Sequence, residues 1–308
     1  MAKKRNSSFK KFPGKLLLFG EHLINRGARA LAVPSHLFEG HFQWNKVAAN
    51  DTAIQSSNEL LKLANYLVFD DKLAERYDTT RLLTDIENGL YFESTIPQGY
   101  GMGSSGALVA AVAESYRKQP LKKNDWTAVK TELANIERFF HGKSSGLDPL
   151  VSFLEKSVII EKAEVKEVFD LKTSEKPMIR AFLIDTGMQR QTAPWVDLFL
   201  KKCGEPSFEK IVDGSLVKAS DICIQSFLNQ KYPQFWKSLQ VLSQMHYDAM
   251  PEFIPEPFQE VWQTGLRTGE YYLKICGAGG GGFILGFYRN QNEIVLPGSI
   301  RAIPVLRF

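Results

Sequence analysis

Two glycine-rich segments hold the residues whose types and spacing could do chemistry. Residues 97–105 combine glycines with serines and lead into an alanine-rich stretch that is predicted to be helical. Backbone N–H groups at such a helix N-terminus, together with the helix dipole, favour a bound anion, and phosphate is the usual one. Residues 277–282 contain five glycines in six positions. So many glycines indicate a close approach of the backbone to another segment or to a ligand.

The first glycine-rich segment has other interpretations. Gly101, Gly103 and Gly106 satisfy the G-x-G-x-x-G pattern of dinucleotide-binding folds. That fold needs an uninterrupted buried strand before the pattern, whereas Pro97 and Gly99 interrupt the approach here. A Walker loop is excluded because no Gly-Lys-Ser/Thr ends the segment. A purely structural glycine turn stays an alternative to phosphate binding.

Two carboxylates lie between the glycine-rich segments. Glu137 adjoins the apolar stripe of a helix predicted for residues 126–140. A carboxylate is tolerated there if a cation, including a metal ion, is its partner. Asp148 lies between Gly146 and Pro149, so turn formation is the alternative to a chemical role. The residue types alone leave both roles open for Asp148.

Length, composition and charge bound the class of protein. The 308 residues suffice for one large domain or two ordinary ones, and 44% hydrophobic with 23% charged residues is ordinary for a globular protein. The formal net charge is only +4, and its basic cluster at positions 3–11 is typical of a solvated terminus, so nucleic acid is not favoured as the main partner. Three cysteines without metal-ligand spacing predict reduced thiols. Since no stretch of about 18 apolar residues exists, we expect a cytoplasmic protein without a membrane partner.

The hydrophobic pattern predicts strands and helices in both halves of the sequence. The elements predicted in the N-terminal half are strands at 15–19, 29–48 and 91–96 and helices at 52–68, 107–116 and 126–140. Those predicted in the C-terminal half are a strand at 179–185, helices between 193 and 247, and strands at 273–276 and 283–287. This mixture predicts an α+β protein with an N-terminal domain at 1–170 and a C-terminal domain at 171–308.

Three segments resemble the signature motifs of the GHMP kinase superfamily, in the order of that family. They are residues 13–22 (Pro-Gly-Lys-Leu-Leu-Leu-Phe-Gly-Glu-His), 97–106 (Pro-Gln-Gly-Tyr-Gly-Met-Gly-Ser-Ser-Gly) and 274–282 (Lys-Ile-Cys-Gly-Ala-Gly-Gly-Gly-Gly). Residues 141–148 and 185–192 are similar to segments of the mevalonate kinases within this superfamily. The landmarks span residues 13 to 282, and five of them in order make the resemblance specific.

The resemblance implies a fold, a reaction and its cofactors. The implied fold is a two-domain, GHMP-kinase-like α+β structure. Its N-terminal domain would be ribosomal-protein-S5-like and bind ATP, and its ferredoxin-like C-terminal domain would complete the substrate site. The implied reaction is ATP-dependent phosphorylation of a small-molecule hydroxyl, for which the Glu21-His22 pair and residues 141–148 favour mevalonate as the acceptor. ATP and Mg²⁺ are the expected cofactors, and a homodimer is the assembly expected from the family.

The resemblance also assigns roles to residues at matching positions. The nucleotide phosphates would be bound by the second motif, at Pro97, Gly99, Gly101, Met102, Gly103, Ser104, Ser105 and Gly106. Ser104 or Ser105 would hold Mg²⁺ together with Glu137. Asp148 would accept the proton of the substrate hydroxyl or orient that hydroxyl, and Lys15 would keep Asp148 ionised and stabilise the developing alkoxide. The candidates for substrate contact are Glu21, His22, Thr192, Gly279 and Gly280.

Departures from the family pattern keep other functions open. Gly106 stands where the family usually has alanine, and we expect this change only to loosen the helix start. Residues 23–26 replace the usual valine-containing passage near the substrate, so phosphomevalonate, homoserine or a sugar stays open as the acceptor. Related decarboxylases share the fold. A catalytically inactive binding protein is an alternative of another class, which the joint presence of Lys15, Glu137 and Asp148 disfavours.

Overall fold

The computed structural model describes residues 9–44, 51–171, 174, 177–289, 294–298 and 300–308. Positions 3–5 of the predicted basic terminus lie outside these residues. Among the described residues, no helix combines the length and the apolar character needed to cross a bilayer.

Contacts between residues group the protein into two compact units. The segments of the first unit are Met1–Lys15, Pro34–Pro97 and Gly103–Glu155. The segments of the second unit are Leu16–Val33, Gln98–Met102 and Lys156–Phe308. This grouping follows packing and is discontinuous in sequence, so the functional boundary near residue 170 stays a prediction.

Two long strands pass from one unit into the other. β1 spans Phe12–Phe19 and β2 spans Ala30–Trp44. Every residue of β1 is buried, which explains why its sequence is an apolar run instead of an alternating pattern. The strand begins three residues earlier than the sequence predicts. The prediction misses this part because Pro13 and Gly14 are residue types that are unusual inside strands.

The first unit continues with helices and one further strand. These elements are α1 (Asp51–Phe69), α2 (Asp71–Arg76), α3 (Thr79–Glu87), β3 (Leu90–Ser94), α4 (Ser104–Tyr116), α5 (Trp126–His141) and α6 (Leu147–Leu154). β3 pairs antiparallel with the second half of β2, from Gly40 opposite Ser94 to Trp44 opposite Leu90. The core of this unit centres on α4, in which every residue from Gly106 to Ala113 is buried. Its small side chains let α5 and α6 pack closely against it.

The helices of the first unit begin in two different ways. The carboxylates of Asp70, Asp78 and Asp125 accept backbone N–H groups and cap α2, α3 and α5. In contrast, α4 follows Gly103 and α6 follows Gly146, both left-handed with φ of 73° and 70°, and neither glycine has a side chain that could cap its helix. The serines that the sequence places ahead of α4 lie in its first turn. The N-cap residue of α4 therefore offers no side chain to the first N–H groups of the helix.

The second unit contains the remaining strands and helices. Its strands beyond β1 and β2 are β4 (Ser157–Glu161), β5 (Glu164–Phe169), β6 (Arg180–Asp185), β7 (Tyr271–Ile275), β8 (Phe283–Tyr288) and β9 (Ala302–Arg307). Its helices are α7 (Thr192–Cys203), α8 (Pro206–Ile211), a π-helical turn (Val212–Leu216), α9 (Val217–Leu228), α10 (Tyr232–Ala249) and α11 (Gln259–Thr268). Short 3₁₀ turns occupy Leu23–Arg26, Pro251–Phe253 and Glu256–Phe258.

The strand order of the second unit agrees with the implied fold. One sheet has the order β1-β2-β4-β5, with β3 also paired to β2. The other has the antiparallel order β7-β8-β6-β9, which is 2-3-1-4 in sequence order and is the order of ferredoxin-like domains. The sequence does not indicate β5, because its exposed residues Glu164, Lys166 and Glu167 hide the strand pattern. Such charges are typical of an edge strand.

A buried ion pair lies within the second unit. Lys274 in β7 has 0% of its side chain exposed, and it pairs with Glu21, whose side chain is 3% exposed. The ammonium of Lys274 also donates to the carbonyl oxygen of Ile275 at 2.7 Å. Removing one partner of such a pair leaves the other charge in a medium of low polarity.

We therefore expect Lys274→Met to lower the free energy of unfolding by about 3–5 kcal/mol. The double variant Glu21→Gln with Lys274→Met should lose clearly less free energy of unfolding than the two single variants lose in sum, because neither charge is then left buried without its partner. Urea unfolding of the four proteins measures this coupling. Lys202→Met is the matched control, since its pair with Glu252 is partly exposed and should be worth less than about 1 kcal/mol. Strict additivity of Glu21→Gln and Lys274→Met would contradict the buried pairing.

Candidate active site

Lys15 and Asp148 are in direct contact within the first unit. Lys15 is a buried residue of β1, and Asp148 lies in the first turn of α6 with 31% of its side chain exposed. Lys15 Nζ is 2.8 Å from Asp148 Oδ1. The strand thus fixes the ammonium, while the carboxylate keeps an exposed side that a ligand can reach.

Glu137 is the second carboxylate of this part of the first unit. It projects from α5, is 5% exposed, and accepts hydrogen bonds from the hydroxyl of Ser144 and, at 3.4 Å, from that of Ser105. Burial raises the pKa of Glu137 to about 7, and the charge of Asp148 adds to this rise. The two hydroxyls and Lys15 oppose the rise in its pKa. Glu137 is therefore a carboxyl that gains or loses its proton near neutral pH.

Two glycines let the start of α4 approach Asp148. A Cβ atom at Gly106 would lie 2.8 Å from the carbonyl carbon of Asp148 and from the backbone nitrogen of Pro149, which is closer than real Cβ contacts. A Cβ atom at Gly103 would lie 3.3 Å from the side chain of Asp148, and φ at Gly103 is +73°. The expectation that glycine at 106 only loosens the helix start is therefore wrong. A side chain there would push the helix away from Asp148.

His22 is a candidate for substrate contact in the second unit. It is 5% exposed, and its Nε2 lies 3.0 Å from the carbonyl oxygen of Ala278, so Nε2 carries the donated proton. Burial lowers the pKa of His22 to about 4. Nδ1 has no hydrogen-bond partner among the described residues. At neutral pH, His22 is thus an uncharged imidazole whose Nδ1 can accept a hydrogen bond.

Arg190 lies between the two glycine-rich turns of the second unit. Cβ atoms at Gly101 and Gly277 would lie 2.9 Å and 2.7 Å from its Nη2, so only glycine allows this approach. Nη1 donates to the hydroxyl of Thr192 at 3.1 Å. Nε and Nη2 are buried and have no hydrogen-bond partner among the described residues, and burial lowers the pKa of Arg190. A guanidinium with two unmatched donors favours a nearby anion.

The turn at 277–282 is held by backbone hydrogen bonds. The N–H of Gly280 donates to Phe253 O, and the N–H of Gly282 donates to Met188 O, both at 2.7 Å. The carbonyl of Gly282 accepts from the backbone N–H and the hydroxyl of Thr186, at 3.0 Å and 2.7 Å. The turn is therefore fixed by its own unit, and the N–H of Gly280 is already committed to Phe253.

The structure brings the predicted site residues together in two groups, one in each unit. The group in the first unit contains Lys15, Gly103, Ser105, Gly106, Glu137 and Asp148. The group in the second unit contains Glu21, His22, Gly99, Gly101, Thr192, Gly279 and Gly280, joined through Lys274, Arg190 and Phe253. Of the remaining candidates, Ser104 is the first residue of α4, Met102 is 1% exposed and Pro97 is half-buried.

Three residues of these groups do not follow from the sequence-based roles. Ser144 bonds Glu137, Lys274 pairs with Glu21, and Arg190 lies against the glycine turns. A signal exists for Lys274, because a lysine between apolar residues in a predicted strand indicates a buried and therefore paired charge. Such a signal is lacking for Arg190, whose neighbours come from distant parts of the sequence.

The raised pKa of Glu137 predicts how stability depends on pH. Between pH 4.5 and about 7, the folded protein holds a proton that the unfolded state releases. Stability contributed by this group is therefore lost as pH rises through that range. Glu137→Gln should be more stable than the unchanged protein at pH 8, by about 1–3 kcal/mol, and nearly equal to it at pH 5.

Urea unfolding at both pH values, without nucleotide or divalent cation, measures this difference. Glu132→Gln is the matched control, because Glu132 is buried on the same helix but paired with Arg76 and Arg117. That variant should be less stable than the unchanged protein at both pH values. A Glu137→Gln variant that loses stability at pH 8 would contradict the raised pKa.

Comparisons with known proteins find similar sequences and similar folds. The family model of the GHMP kinases N terminal domain matches residues 58–156. The mevalonate kinase of Archaeoglobus fulgidus is 26% identical over 286 residues, covering 91% of this chain and 92% of that protein.

Solved structures share the fold. The mevalonate kinase of L. major, solved in complex with R-mevalonate, has a TM-score of 0.62 at 16% identity and covers 94% of this chain and 91% of its own. The phosphomevalonate kinase of Streptococcus pneumoniae, solved with phosphomevalonate and AMPPNP, has a TM-score of 0.60 at 13% identity, covering 92% and 93%. The resemblance of the motifs is thus confirmed: residues 58–156 match the GHMP kinases N terminal domain, and the sequence is similar over nearly its whole length to mevalonate kinases.

Proposed function

We propose that the protein transfers the γ-phosphoryl group of ATP to the primary hydroxyl of mevalonate, giving 5-phosphomevalonate and ADP. The observation that carries the proposal is the contact of Lys15 Nζ with Asp148 Oδ1 at 2.8 Å. A substrate hydroxyl can be placed on the exposed side of the Asp148 carboxylate. The curated relative named a mevalonate kinase, which aligns with 91% of the sequence, supports mevalonate as the acceptor.

The phosphates of ATP are proposed to bind at the N-terminus of α4. The N-cap residue Gly103 brings no side chain to this end, and the helix dipole adds positive charge there. The motif residues from Pro97 to Gly106, with their positive φ at Gly99, Gly101 and Gly103, shape the backbone at this position. The loop would thereby serve ATP through its backbone, as the sequence predicts.

Ser105 and Glu137 fit a magnesium ion. Mg²⁺ is commonly held by one or two protein oxygens, with water and phosphates completing its coordination. The Ser105 hydroxyl and the Glu137 carboxylate offer such a pair 3.4 Å apart, and Ser104 is the neighbouring alternative. No group of three or more His, Cys, Asp or Glu side chains among the described residues is arranged to hold a metal, which agrees with a ligand set completed by phosphates. When bound, Mg²⁺ neutralises charge on the β- and γ-phosphates.

Asp148 and Lys15 are proposed to act on the acceptor hydroxyl. As the hydroxyl oxygen attacks the γ-phosphorus and the bond to the ADP oxygen breaks, the hydroxyl proton passes to a carboxylate oxygen of Asp148. The ammonium of Lys15 stabilises the negative charge that develops on the attacking oxygen. Because Lys15 is fixed in a buried strand, little reorganisation accompanies this step.

The prediction from the sequence that the C-terminal domain completes the substrate site makes His22 and Arg190 the candidates in the second unit for holding the acceptor. Nδ1 of neutral His22 can accept a hydrogen bond from a hydroxyl of mevalonate. The guanidinium of Arg190, with its unmatched donors, suits the carboxylate at the other end of mevalonate. Glu21, Thr192, Gly279 and Gly280 stay predicted substrate contacts, and the homodimer and the cytoplasmic location stay predictions.

The reaction is tested by measuring ADP release with Mg²⁺ and ATP across mevalonate, phosphomevalonate, homoserine and galactose. We expect turnover with mevalonate, and we expect Asp148→Asn to lower kcat by about 10²–10⁴-fold because the base is lost. Asp170→Asn is the matched control, since Asp170 is an exposed carboxylate paired with Lys156. Turnover confined to another acceptor would refute mevalonate, and a folded Asp148→Asn protein with unchanged kcat would refute the role of Asp148.

The role of Arg190 is tested by separate KM values for the two substrates. Arg190→Met should raise the KM for mevalonate by about 10–100-fold, the loss expected for hydrogen bonds to a charged group. The KM for ATP should stay nearly unchanged. Arg267→Met, at an exposed position of α11, is the control. A rise confined to the KM for ATP would instead assign Arg190 to the phosphates.

A further inference from the structure

One face of α7 carries Thr192, Trp195 and Phe199. These residues are three and four positions apart, so their side chains lie on the same side of the helix. Thr192 accepts a hydrogen bond from Arg190 at the start of this face. The face therefore begins at the candidate acceptor site of the second unit.

Phe199 fixes the ring of His22. The two rings are stacked with centroids 4.6 Å apart and an interplanar angle of 21°. Phe253 meets the same imidazole edge-on, at 5.2 Å and 72°. Since Phe199 is 0% exposed, it belongs to the packing behind His22 and does not itself line an open surface.

Trp195 lies one turn nearer the start of α7 and is only half-buried. A Cβ atom at Gly280 would overlap ring atoms of the Trp195 indole, well inside van der Waals contact. The φ angle of Gly280 is +73°, which also favours glycine. Its ring also contacts Phe253, with centroids 5.7 Å apart. Trp195 is thus wedged between the glycine turn and the aromatic packing behind His22, with part of its ring still accessible.

We propose that Trp195 determines acceptor specificity by forming a rigid apolar wall beside His22 and the turn at Gly280. This inference rests on the proposed function and adds a residue to it. An indole held on two sides cannot move aside for a larger group, so the wall sets the size of the apolar branch that an acceptor can carry. It also excludes ring sugars, whose hydroxyls would lose hydrogen bonds to water against an apolar surface.

The class of acceptor that fits such a wall is an open-chain hydroxy acid with a small alkyl branch. In this proposal the carboxylate would match the unpartnered donors of Arg190, a hydroxyl would match Nδ1 of His22, and the alkyl branch would face Trp195. The methyl group at C3 of mevalonate is a branch of this kind. One further methylene in a hydrophobic pocket changes the discrimination between acceptors by about 10–200-fold.

The test compares mevalonate with its homologue that carries ethyl in place of methyl at C3. Trp195→Ala should raise the ratio of kcat/KM for the ethyl compound to that for mevalonate by at least about tenfold. The ratio for Trp195→Phe should lie between those of the unchanged protein and Trp195→Ala. The change should appear mainly in KM, because the wall touches the acceptor and not the phosphoryl group. If both kcat/KM values fall together while their ratio stays within twofold, Trp195 has only a structural role and the proposal is overturned.

A second pair of variants tests the contact that fixes the indole. Gly280→Ala places a methyl group inside the ring of Trp195 and should lower Tm and the affinity for mevalonate. Adding Trp195→Ala removes the collision, so the double variant should melt at a higher temperature than Gly280→Ala alone. The strain of alanine at positive φ is the same in both proteins and cancels in this comparison. A double variant less stable than Gly280→Ala alone would show that the indole does not occupy this position.

The failure of this inference differs from a failure of the proposed function. If the unchanged protein turns over another acceptor in place of mevalonate, the proposed function fails, and the same ratio is measured for that acceptor and its homologue one methylene longer. A raised ratio in Trp195→Ala would still support the wall. Absence of turnover with every acceptor would overturn both.

Discussion

The backbone at the start of α4 has to approach Asp148 more closely than any side chain would allow. A Cβ atom at Gly106 would meet backbone atoms of Asp148 and Pro149 at 2.8 Å. This packing of α4 on α6 fixes the carboxylate of Asp148 beside the N-terminus of α4 and against Lys15. The proposed base, its cation and the proposed phosphate-binding backbone of the first unit therefore depend on the same close contact.

The second unit is constrained by the burial of its ionisable side chains. Burying an ionisable group is unfavourable unless it is paired or neutral. Lys274 and Glu21 satisfy this rule as a pair, and His22 satisfies it by losing its proton well below neutral pH. Arg190 is the exception, since two of its nitrogens are buried without a hydrogen-bond partner among the described residues. A half-buried cation with two buried donors that its own unit does not satisfy is the feature that most directly indicates an anionic ligand.

Much of the site follows from the sequence because its parts are local. The glycine-rich segments, the helix that follows the first of them and the carboxylates at Glu137 and Asp148 can each be interpreted within a few residues. The resemblance of the motifs joined them into one family, which the comparisons confirmed. The main strands and helices also follow, since β1, α1 and α5 have continuous apolar runs or stripes.

What the sequence does not predict arises from contacts between distant segments. The need for glycine at 106 depends on α6, some forty residues later in the sequence. The roles of Arg190 and Trp195 depend on glycine turns that come from other parts of the sequence. β5 escapes detection because an edge strand is charged for reasons of solubility and not of secondary structure. Local patterns identify chemical groups, but only packing decides which of them meet.

The proposed reaction is phosphorylation of the primary hydroxyl of mevalonate. Phosphorus NMR of a completed reaction with ATP, Mg²⁺ and mevalonate tests it most directly, because the spectrum identifies both the ester and the nucleotide product. We expect one phosphate monoester at C5 for each ADP formed, without release of inorganic phosphate. Formation of ADP and inorganic phosphate alone, or an ester that appears only with another acceptor, would contradict it.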